Sequence, residues 1–319
     1  MGIETRITKL LHIDYPVIQG GLAHLAYAEL AAAVSNAGGL GQITAMSLEN
    51  EDQLRDEIHK VRSLTDKPFG VNFAIGQHGR AFEHMVAVAR EEQVPVITVT
   101  GGNPKPVLDM VKGTDIKKMV LVAAKRQAVK AEELGADAVM VVGHEGGGHL
   151  GRDDIGTFVL TPQVADAVDI PVVASGGISD GKGLMAALAL GAEGIEMGTR
   201  FIATKECVHA HESHKKQLVE ADEKSTVVIK RSLGAPARAL KNQWTDKILE
   251  LEEAEPGFET LKPYISGETN KRYIYGESED GFGWAGQVTG RIHDIPSVKE
   301  LFDRIQNDIE QIKAKWSQG

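Results

Sequence analysis

The sequence has few of the features that mark secreted, membrane or nucleic-acid-binding proteins. Its 319 residues include a single cysteine, Cys207, which excludes an internal disulfide and predicts a reducing compartment. It has 35 basic against 45 acidic residues, and this net charge of -10 argues against nucleic acid or an anionic membrane as a partner. No apolar run approaches the roughly 20 residues that cross a bilayer, and no signal peptide opens the chain. We therefore expect a soluble, cytoplasmic protein.

Short apolar runs recur along the first two thirds of the chain. Each is rich in valine and isoleucine, lacks alternation with polar residues, and is bounded by glycine or proline, as expected of strands buried on both faces. Amphipathic stretches that predict helices separate these runs, and several of them end in glycine. The predicted strands cover residues 15–19, 39–44, 68–73, 94–100, 118–124, 137–143, 170–176 and 193–199.

This alternation of strand and helix, repeated about eight times, predicts an α/β fold of the (β/α)8 TIM barrel type. A doubly wound open sheet is the alternative, because the period alone does not prove that the sheet closes. We assign the barrel to residues 1–204. Strand signals then disappear, and residues 205–291 predict a helical lid or substrate domain inserted after strand eight. Residues 292–319 predict an amphipathic helix that packs on the barrel.

Glycines crowd the predicted carboxyl ends of the strands, the rim at which barrel enzymes carry their chemistry. The ends of the seventh and eighth strands place Gly176, Gly177, Gly198 and Thr199 where this fold commonly binds phosphate. Backbone N–H groups at such turns can form an anion cradle, although tight turns alone would also explain the glycines. No Walker loop and no GxGxxG motif follows the first strand. A mononucleotide or phosphosugar therefore fits better than a dinucleotide.

The loop after the sixth strand, "VGHEGGGHLG" (142–151), sets ionisable side chains around three consecutive glycines. Because glycine loses more backbone entropy on folding than any other residue, we expect a sharp bend or a close approach to a ligand there. His149 ends this glycine run. A histidine suits such a place, since imidazole can donate or accept a proton near neutrality.

Several motifs along residues 5–290 resemble those of the flavin-dependent nitronate monooxygenases, formerly called 2-nitropropane dioxygenases. NADH:quinone reductases and flavin-type enoyl-acyl-carrier-protein reductases belong to the same superfamily. The resemblance implies a barrel that binds FMN non-covalently, with the phosphate held after strands seven and eight, but it does not fix the substrate. The motifs that carry it are "PVIQGGL", "AAAVSNAGGLG", "PFGVN", "GHEGGGHLG", "PVVASGGISDGKGLMAALALGAEGIEMGTRF" and "WAGQ".

By position, the resemblance implies that His149 is the catalytic histidine of a Gly-Gly-His-x-Gly pattern. It also implies that Gly147 lets the backbone approach the flavin and that Asn72 lies near the polar edge of the ring. The other implied contacts are Gly21, Leu22 and Ala23 at the ring, and Ser175, Gly176, Gly177, Gly198 and Thr199 at the phosphate. Relatives can have a hydroxyl or a lysine near the flavin where this chain has Ala74 and Leu121, which leaves the electronics of the pyrimidine edge open.

Other ionisable residues have more than one interpretation. We expect His144 to turn into the barrel wall, and Glu145 either to hydrogen-bond a flavin edge or to pin the loop. A metal bound by these two residues and His149 is possible, but the loop glycines fit a flavin better, and we predict no metal site. The segment "HAHESH" has no metal-ligand spacing and is predicted to be solvated surface; its histidines are His209, His211 and His214.

Two oxidoreductase activities follow from the resemblance, and they differ in the electron donor. In the first, which we favour, the enzyme oxidises an alkyl nitronate with O2 and needs no nicotinamide. In the second, NAD(P)H reduces FMN, and a quinone or, as a weaker candidate, an enoyl thioester reoxidises it. A flavin-free phosphosugar isomerase or synthase would leave "QGGLA" and "WAGQ" unexplained. We expect a small-molecule substrate and a monomer or homodimer.

Overall fold

The computed structural model describes residues 3–76, 81–254 and 257–317, and its centre is a parallel barrel. The barrel strands are Val17–Gln19 (β1), Gly41–Thr44 (β2), Phe69–Ala74 (β3), Val96–Thr100 (β4), Lys117–Val122 (β5), Ala138–Val142 (β6), Val172–Ser175 (β8) and Gly194–Met197 (β9). They are ordered β1-β9-β8-β6-β5-β4-β3-β2, and a bridge from Ile18 to Leu40 closes β1 onto β2. All eight predicted strands are confirmed, and the closed barrel is confirmed over the open sheet.

Helices surround the barrel, and several begin at a side chain that caps the first turn. The side chains of Thr5, Asn50 and Asp180 each accept a hydrogen bond from the backbone N–H three residues later. In the described parts of the chain, no helix is long and apolar enough to cross a membrane. The helices are Arg6–Leu11 (α1), Ala28–Asn36 (α2), Glu51–Leu64 (α3), Glu83–Glu91 (α4), Lys105–Met110 (α5), Lys125–Glu133 (α6), Thr157–Ala165 (α7), Gly181–Ala189 (α8) and Thr199–Ile202 (α9).

The segment that follows the barrel is not the all-helical lid that the sequence predicts. Two antiparallel strands, Thr226–Ile229 (β10) and Ala237–Leu240 (β11), form a hairpin within it. The prediction was wrong here because Thr226–Ile229 is β-branched throughout and half-buried, which favours a strand over a helix. β11 also pairs with a two-residue strand, Gly148–His149 (β7), in the loop after β6. The lid therefore reaches back to the barrel mouth.

The same segment also contains four helices, and a long helix ends the described part of the chain. The final helix buries one apolar face, which includes Leu301, Phe302 and Ile305, and packs along α8 and α2. A 3-10 helix over Ala45–Ser47 follows β2, and another covers Gln287–Arg291. The helices are Glu212–Glu220 (α10), Gln243–Ala254 (α11), Phe258–Leu261 (α12), Gly267–Ile274 (α13) and Val298–Ser317 (α14).

One histidine of the "HAHESH" segment is not on the surface. His209 and His211 are exposed, as predicted, but His214 is only 1% exposed. The prediction was wrong for this residue because α10 turns its His214 face into the lid, where the imidazole packs edge-on against Tyr273. Burial lowers the pKa of His214 to about 4.

The barrel interior changes from apolar to polar along its axis. Ile7 and Leu11 of α1 pack into an apolar cluster with Ile18, so this helix plugs the amino-terminal end. Nearer the mouth, the Thr98 hydroxyl donates to Gln42 Oε1 at 2.5 Å, one link of a buried hydrogen-bond network. Such a network has fixed orientations because each polar group has a defined partner.

A carboxyl group, Glu196, is also buried within the barrel. Its register in β9 places it beside Ser175 of β8 and Ile18 of β1, and it is 7% exposed. Burial raises the pKa of Glu196 to about 7, and a hydrogen bond with Ser175 opposes this rise. The side chain is therefore neutral through the mildly acidic range, in which an exposed glutamate is ionised.

We predict that Glu196→Gln stabilises the protein at alkaline pH and changes little in acid. An unfolded glutamate titrates near 4.5, whereas the folded carboxyl holds its proton up to about pH 7. The contribution of that proton to the free energy of unfolding is fully present below pH 4.5 and is lost as pH rises through 7. Between pH 5 and 8.5 the free energy of unfolding of the wild type should therefore fall by roughly 2 to 3 kcal/mol relative to that of the glutamine variant. Urea melts of both proteins measure this change.

Glu253→Gln is the matched control, because Glu253 is exposed. Its stability should follow the wild type at both pH values. A difference between wild type and Glu196→Gln that stays the same from pH 5 to pH 8.5 would contradict a buried neutral carboxyl.

Candidate active site

The loop after β1 crosses the polar end of the barrel interior. A Cβ on Gly21 would lie 2.4 Å from Asn72 Oδ1, so a side chain at position 21 would collide with the amide. Asn72 is itself 2% exposed, and its Nδ2 donates to the hydroxyls of Thr98 and Thr100 at 2.8 and 2.9 Å. The structure thus brings Gly21 and Asn72 together, with the amide held in one orientation.

The same loop offers an accessible surface at the mouth of the barrel. Gly21 and Ala23 are exposed, and Leu22 between them is half-buried. The Leu22 backbone N–H donates to Thr44 Oγ1 at 3.1 Å, which anchors the loop to the end of β2. Its Cδ2 lies 3.4 Å from the place that a Cβ on Gly198 would take. The three predicted ring contacts and Gly198 therefore lie on one part of the rim.

The turn after β8 contains two consecutive glycines with left-handed backbone. Gly176 and Gly177 have φ of +92° and +78°, in the left-handed region where a Cβ is strained. Within the described residues, no protein acceptor receives the backbone N–H of Gly177 or Ile178. Ser175 precedes them and is 8% exposed. Free N–H groups on consecutive residues suit a phosphate, so this turn fits the predicted cofactor.

The turn after β9 lies beside the lid. Gly198 precedes α9, and the next residue, Thr199, accepts a hydrogen bond at Oγ1 from the Gly286 backbone N–H at 2.9 Å. The Thr199 hydroxyl keeps its own proton available for donation. The second predicted phosphate contact is thus held by the "WAGQ" segment of the lid.

The glycine-rich loop after β6 is held by hydrogen bonds from both the barrel and the lid. Glu145 Oε2 accepts from the backbone N–H and the hydroxyl of Thr157 at 2.8 and 3.0 Å, at the start of α7. From the lid, Arg238 Nη2 donates to the His144 carbonyl at 3.0 Å, and the Gln287 backbone N–H donates to the Glu145 carbonyl at 2.9 Å. Of the two roles predicted for Glu145, pinning the loop is the one that these contacts show.

Gly147 meets the lid backbone directly. A Cβ on Gly147 would lie 2.7 Å from the backbone of Ala285 and Gly286, and a Cβ on Gly286 would lie 2.7 Å from the Glu145 carbonyl oxygen. The two glycines let the chain segments cross at van der Waals distance. The close approach of the lid backbone therefore explains a glycine at position 147 without any cofactor. The contact of Gly147 with a flavin stays a prediction.

His144 lies in the first part of the same loop. It is half-buried, with Nδ1 at 3.1 Å from Asp154 Oδ1. Burial and the nearby Arg238 guanidinium lower the pKa of His144, although Asp154 opposes them. In the described part of the chain, no group of His, Cys, Asp and Glu side chains has the arrangement of a metal site.

His149 lies at the edge of the small sheet between barrel and lid. It pairs with Ala237 of β11, and its side chain is exposed. Its ring centroid is 5.8 Å from that of Trp284, and its Nε2 is 2.9 Å from Lys230 Nζ. The predicted catalytic imidazole is thus accessible and is positioned by residues of the lid.

The sequence analysis missed Lys230 and Arg238, lid cations that contact this loop. Both belong to the overlooked hairpin, which the run "TVVIK" followed by a turn at "LGAP" could have indicated. Lys230 is 8% exposed, and its Nζ lies 5.3 Å from the centroid of the Trp284 ring. Burial lowers the pKa of Lys230 to about 8, and the nearby Glu252 carboxylate opposes this change.

Comparison with known proteins shows the family to which the chain belongs. The family model for nitronate monooxygenase matches residues 4–81 and 73–308. A probable nitronate monooxygenase of Staphylococcus aureus (strain JH9) is 32% identical, over 97% of this chain and 98% of that protein. A probable nitronate monooxygenase of Staphylococcus haemolyticus (strain JCSC1435) is 33% identical, over 98% of each.

Solved structures share the whole fold. FabK from Thermotoga maritima is 39% identical, with a TM-score of 0.92 over 99% of each chain. The nitroalkane oxidase from Streptomyces ansochromogenes is 27% identical, with a TM-score of 0.83 over 98% of this chain and 100% of that one. The resemblance drawn from the motifs is confirmed. The chain belongs to the nitronate monooxygenase family, a family of flavin-dependent oxidoreductases.

Proposed function

We propose that the protein binds FMN and oxidises alkyl nitronates with O2. The observation that carries this proposal is that an accessible histidine, His149, is held at the same barrel rim as two consecutive glycines with left-handed backbone, Gly176 and Gly177. Membership of the nitronate monooxygenase family supports it, as does the likeness to a structure described as a nitroalkane oxidase.

The residues present fit FMN in their chemistry. The exposed loop at Gly21–Ala23 would take the face of the ring, and the Asn72 amide would meet its polar edge. The turns after β8 and β9 would hold the phosphate through backbone N–H groups and the Ser175 and Thr199 hydroxyls. FMN, when bound, supplies the electron-transfer chemistry.

The protein itself supplies binding and proton handling. His149 can hydrogen-bond an oxygen of the substrate and can donate or accept a proton there. The lid hairpin and Trp284 pack around the imidazole, which restricts its orientation. Lid and barrel together can limit the entry of water to the space above the ring.

Reduction of the flavin by NAD(P)H, with a quinone as acceptor, is the second candidate. Arg152 and Arg231 are exposed beside Lys230 in the lid hairpin and its neighbouring loop. Guanidinium groups bind phosphates well, and a nicotinamide cofactor carries at least two. An enoyl thioester is the weaker alternative as acceptor.

We predict that Gly198→Ala weakens FMN binding without loss of the fold. The backbone at Gly198 has a φ of -105°, and the added Cβ would meet Leu22 Cδ2 at 3.4 Å, an ordinary contact. If the phosphate lies against Gly198, the methyl group should crowd it and raise the FMN Kd about tenfold or more, which corresponds to roughly 1.4 kcal/mol. Flavin fluorescence titration and thermal melts measure the two effects separately.

Gly257→Ala is the control, since a Cβ there meets nothing within 4 Å. It should change neither FMN binding nor the melting temperature appreciably. A parallel loss of stability and FMN binding in Gly198→Ala would instead favour a plain structural turn. A colourless wild-type protein that takes up no added FMN would refute the flavin assignment itself.

We predict that His149→Ala keeps FMN but loses turnover. The expected phosphate contacts lie on other strands, so flavin content should be unchanged. The rate should fall by about 100-fold to 10,000-fold, the usual range for a lost acid–base group. Anaerobic single-turnover mixing with ethyl nitronate or with NADH, followed by reoxidation with O2 or a quinone, measures each half-reaction.

His144→Ala is the matched control, because the His144 imidazole contacts Asp154 and has no role in the proposed chemistry. Its rate should remain close to that of the wild type. Flavin bleaching by NADH but not by the nitronate would favour the second candidate over the first. Wild-type rates for His149→Ala in both half-reactions would remove this residue from the mechanism.

A further inference from the structure

We propose that Lys230 is a positioning residue for His149: its ammonium donates to Nε2, which fixes the proton of the imidazole on Nδ1 and provides a positive charge for an anionic substrate. The functional part of this proposal rests on the proposed function, because it takes His149 as the catalytic residue. The tautomer that it assigns can be tested without any turnover.

The contact determines the direction of the hydrogen bond. Lys230 Nζ lies 2.9 Å from His149 Nε2. An ammonium has three donors and no acceptor, so the nitrogen that faces it must be unprotonated. A neutral imidazole with a bare Nε2 carries its proton on Nδ1. Lys230 therefore selects one of the two neutral forms of His149.

The surroundings of Lys230 make this contact more than an incidental surface pairing. The residue is 8% exposed, and its Nζ lies 5.3 Å from the centroid of the Trp284 ring. Lys230 has a φ of +63°, an uncommon conformation for a residue other than glycine, and its backbone N–H donates to Glu252 Oε2 at 2.8 Å. The hairpin end is thus held so that the side chain points inward to the imidazole.

No carboxylate of the described residues comes within ion-pair distance of Lys230 Nζ. A buried ammonium is costly unless its N–H groups find acceptors. The imidazole Nε2 and the Trp284 ring are the two partners that the structure provides. Burial lowers the pKa of Lys230 only to about 8, so the amine keeps its charge at neutral pH.

Of the charged groups near the pair that the structure describes, three have partners of their own. On β11, Arg238 donates to the His144 carbonyl, and in the hairpin turn Arg231 Nη1 lies 3.0 Å from Asp154 Oδ2. From α11, the Glu252 carboxylate accepts from the Lys230 backbone and from Ser232. In the loop after β7, the Arg152 guanidinium lies near Gly234.

This arrangement has a consequence for the substrate. The positive charge of the pair remains on Lys230 and attracts an anion to the space beside His149. A nitronate, or another small anionic substrate, is the class that this pair suits.

The test compares Lys230→Met and Lys230→Arg in the FMN-loaded protein. Methionine keeps an apolar stem of similar length on Trp284 but removes the donor and the charge, whereas arginine keeps both. Lys241→Met is the matched control, since Lys241 follows β11 and is exposed. Flavin content and thermal melts establish first that each variant folds and binds FMN.

The direct readout is the ring 15N shifts of His149 by NMR at neutral pH. The wild type and Lys230→Arg should show the proton on Nδ1, and Lys230→Met should lose this preference. In steady-state kinetics, Lys230→Met should raise the nitronate KM about tenfold or more, with a smaller effect for an uncharged quinone. Lys230→Arg should restore both the tautomer preference and the nitronate KM.

A wild-type His149 with its proton on Nε2 would overturn the proposal, even if Lys230→Met failed to fold. So would a Lys230→Met protein with an unchanged tautomer and an unchanged KM. If the wild type turned over neither nitronate nor NADH, the proposed function would fail, and the NMR result would still decide whether Lys230 sets the tautomer.

Discussion

Gly148 and His149 pair with Ala237 and Arg238, and this two-residue contact joins the barrel to the segment that follows it. A run of three glycines has little intrinsic order, since each loses much backbone entropy on folding. The lid supplies the missing constraint through the strand pairing and through Arg238, which donates to the His144 carbonyl. On the barrel side, Glu145 fixes the loop to the start of α7. The position of the imidazole thus depends on contacts from both parts of the chain.

Electrostatics divide the candidate site into two zones. Beneath the rim, the barrel holds uncharged polar groups: Asn72 with its threonine partners, and a carboxyl at Glu196 that burial keeps protonated up to about pH 7. Beside the rim, the lid brings cations, of which Lys230 contacts His149 directly. Uncharged polar groups beneath the rim suit a flat, polar cofactor, and cations beside the rim suit an anionic substrate above it. This local positive charge contrasts with the net charge of -10 of the whole protein.

The barrel was predictable because its signals are local. Runs such as residues 94–100 and 137–143 are apolar without alternation, and glycines mark the strand ends, so both the strands and the rim could be read from the sequence. The neighbours Gly21 and Asn72 were expected at one site from the family motifs. The hairpin was missed because its strands are short and lie among polar residues. Lys230 could not have been assigned, since its contact with His149 joins residues 81 positions apart that only the folded lid brings together.

A crystal structure of the protein with its bound flavin is the measurement that tests this account most directly. The account predicts FMN with its phosphate on the turns at Gly176–Gly177 and Gly198–Thr199 and its ring against Gly21–Ala23. It also predicts His149 above the ring, still paired with β11 and within hydrogen-bond distance of Lys230. A flavin phosphate bound elsewhere, or a β7 that leaves β11 and carries His149 away from the ring, would contradict the central claim that the lid holds this histidine over the cofactor.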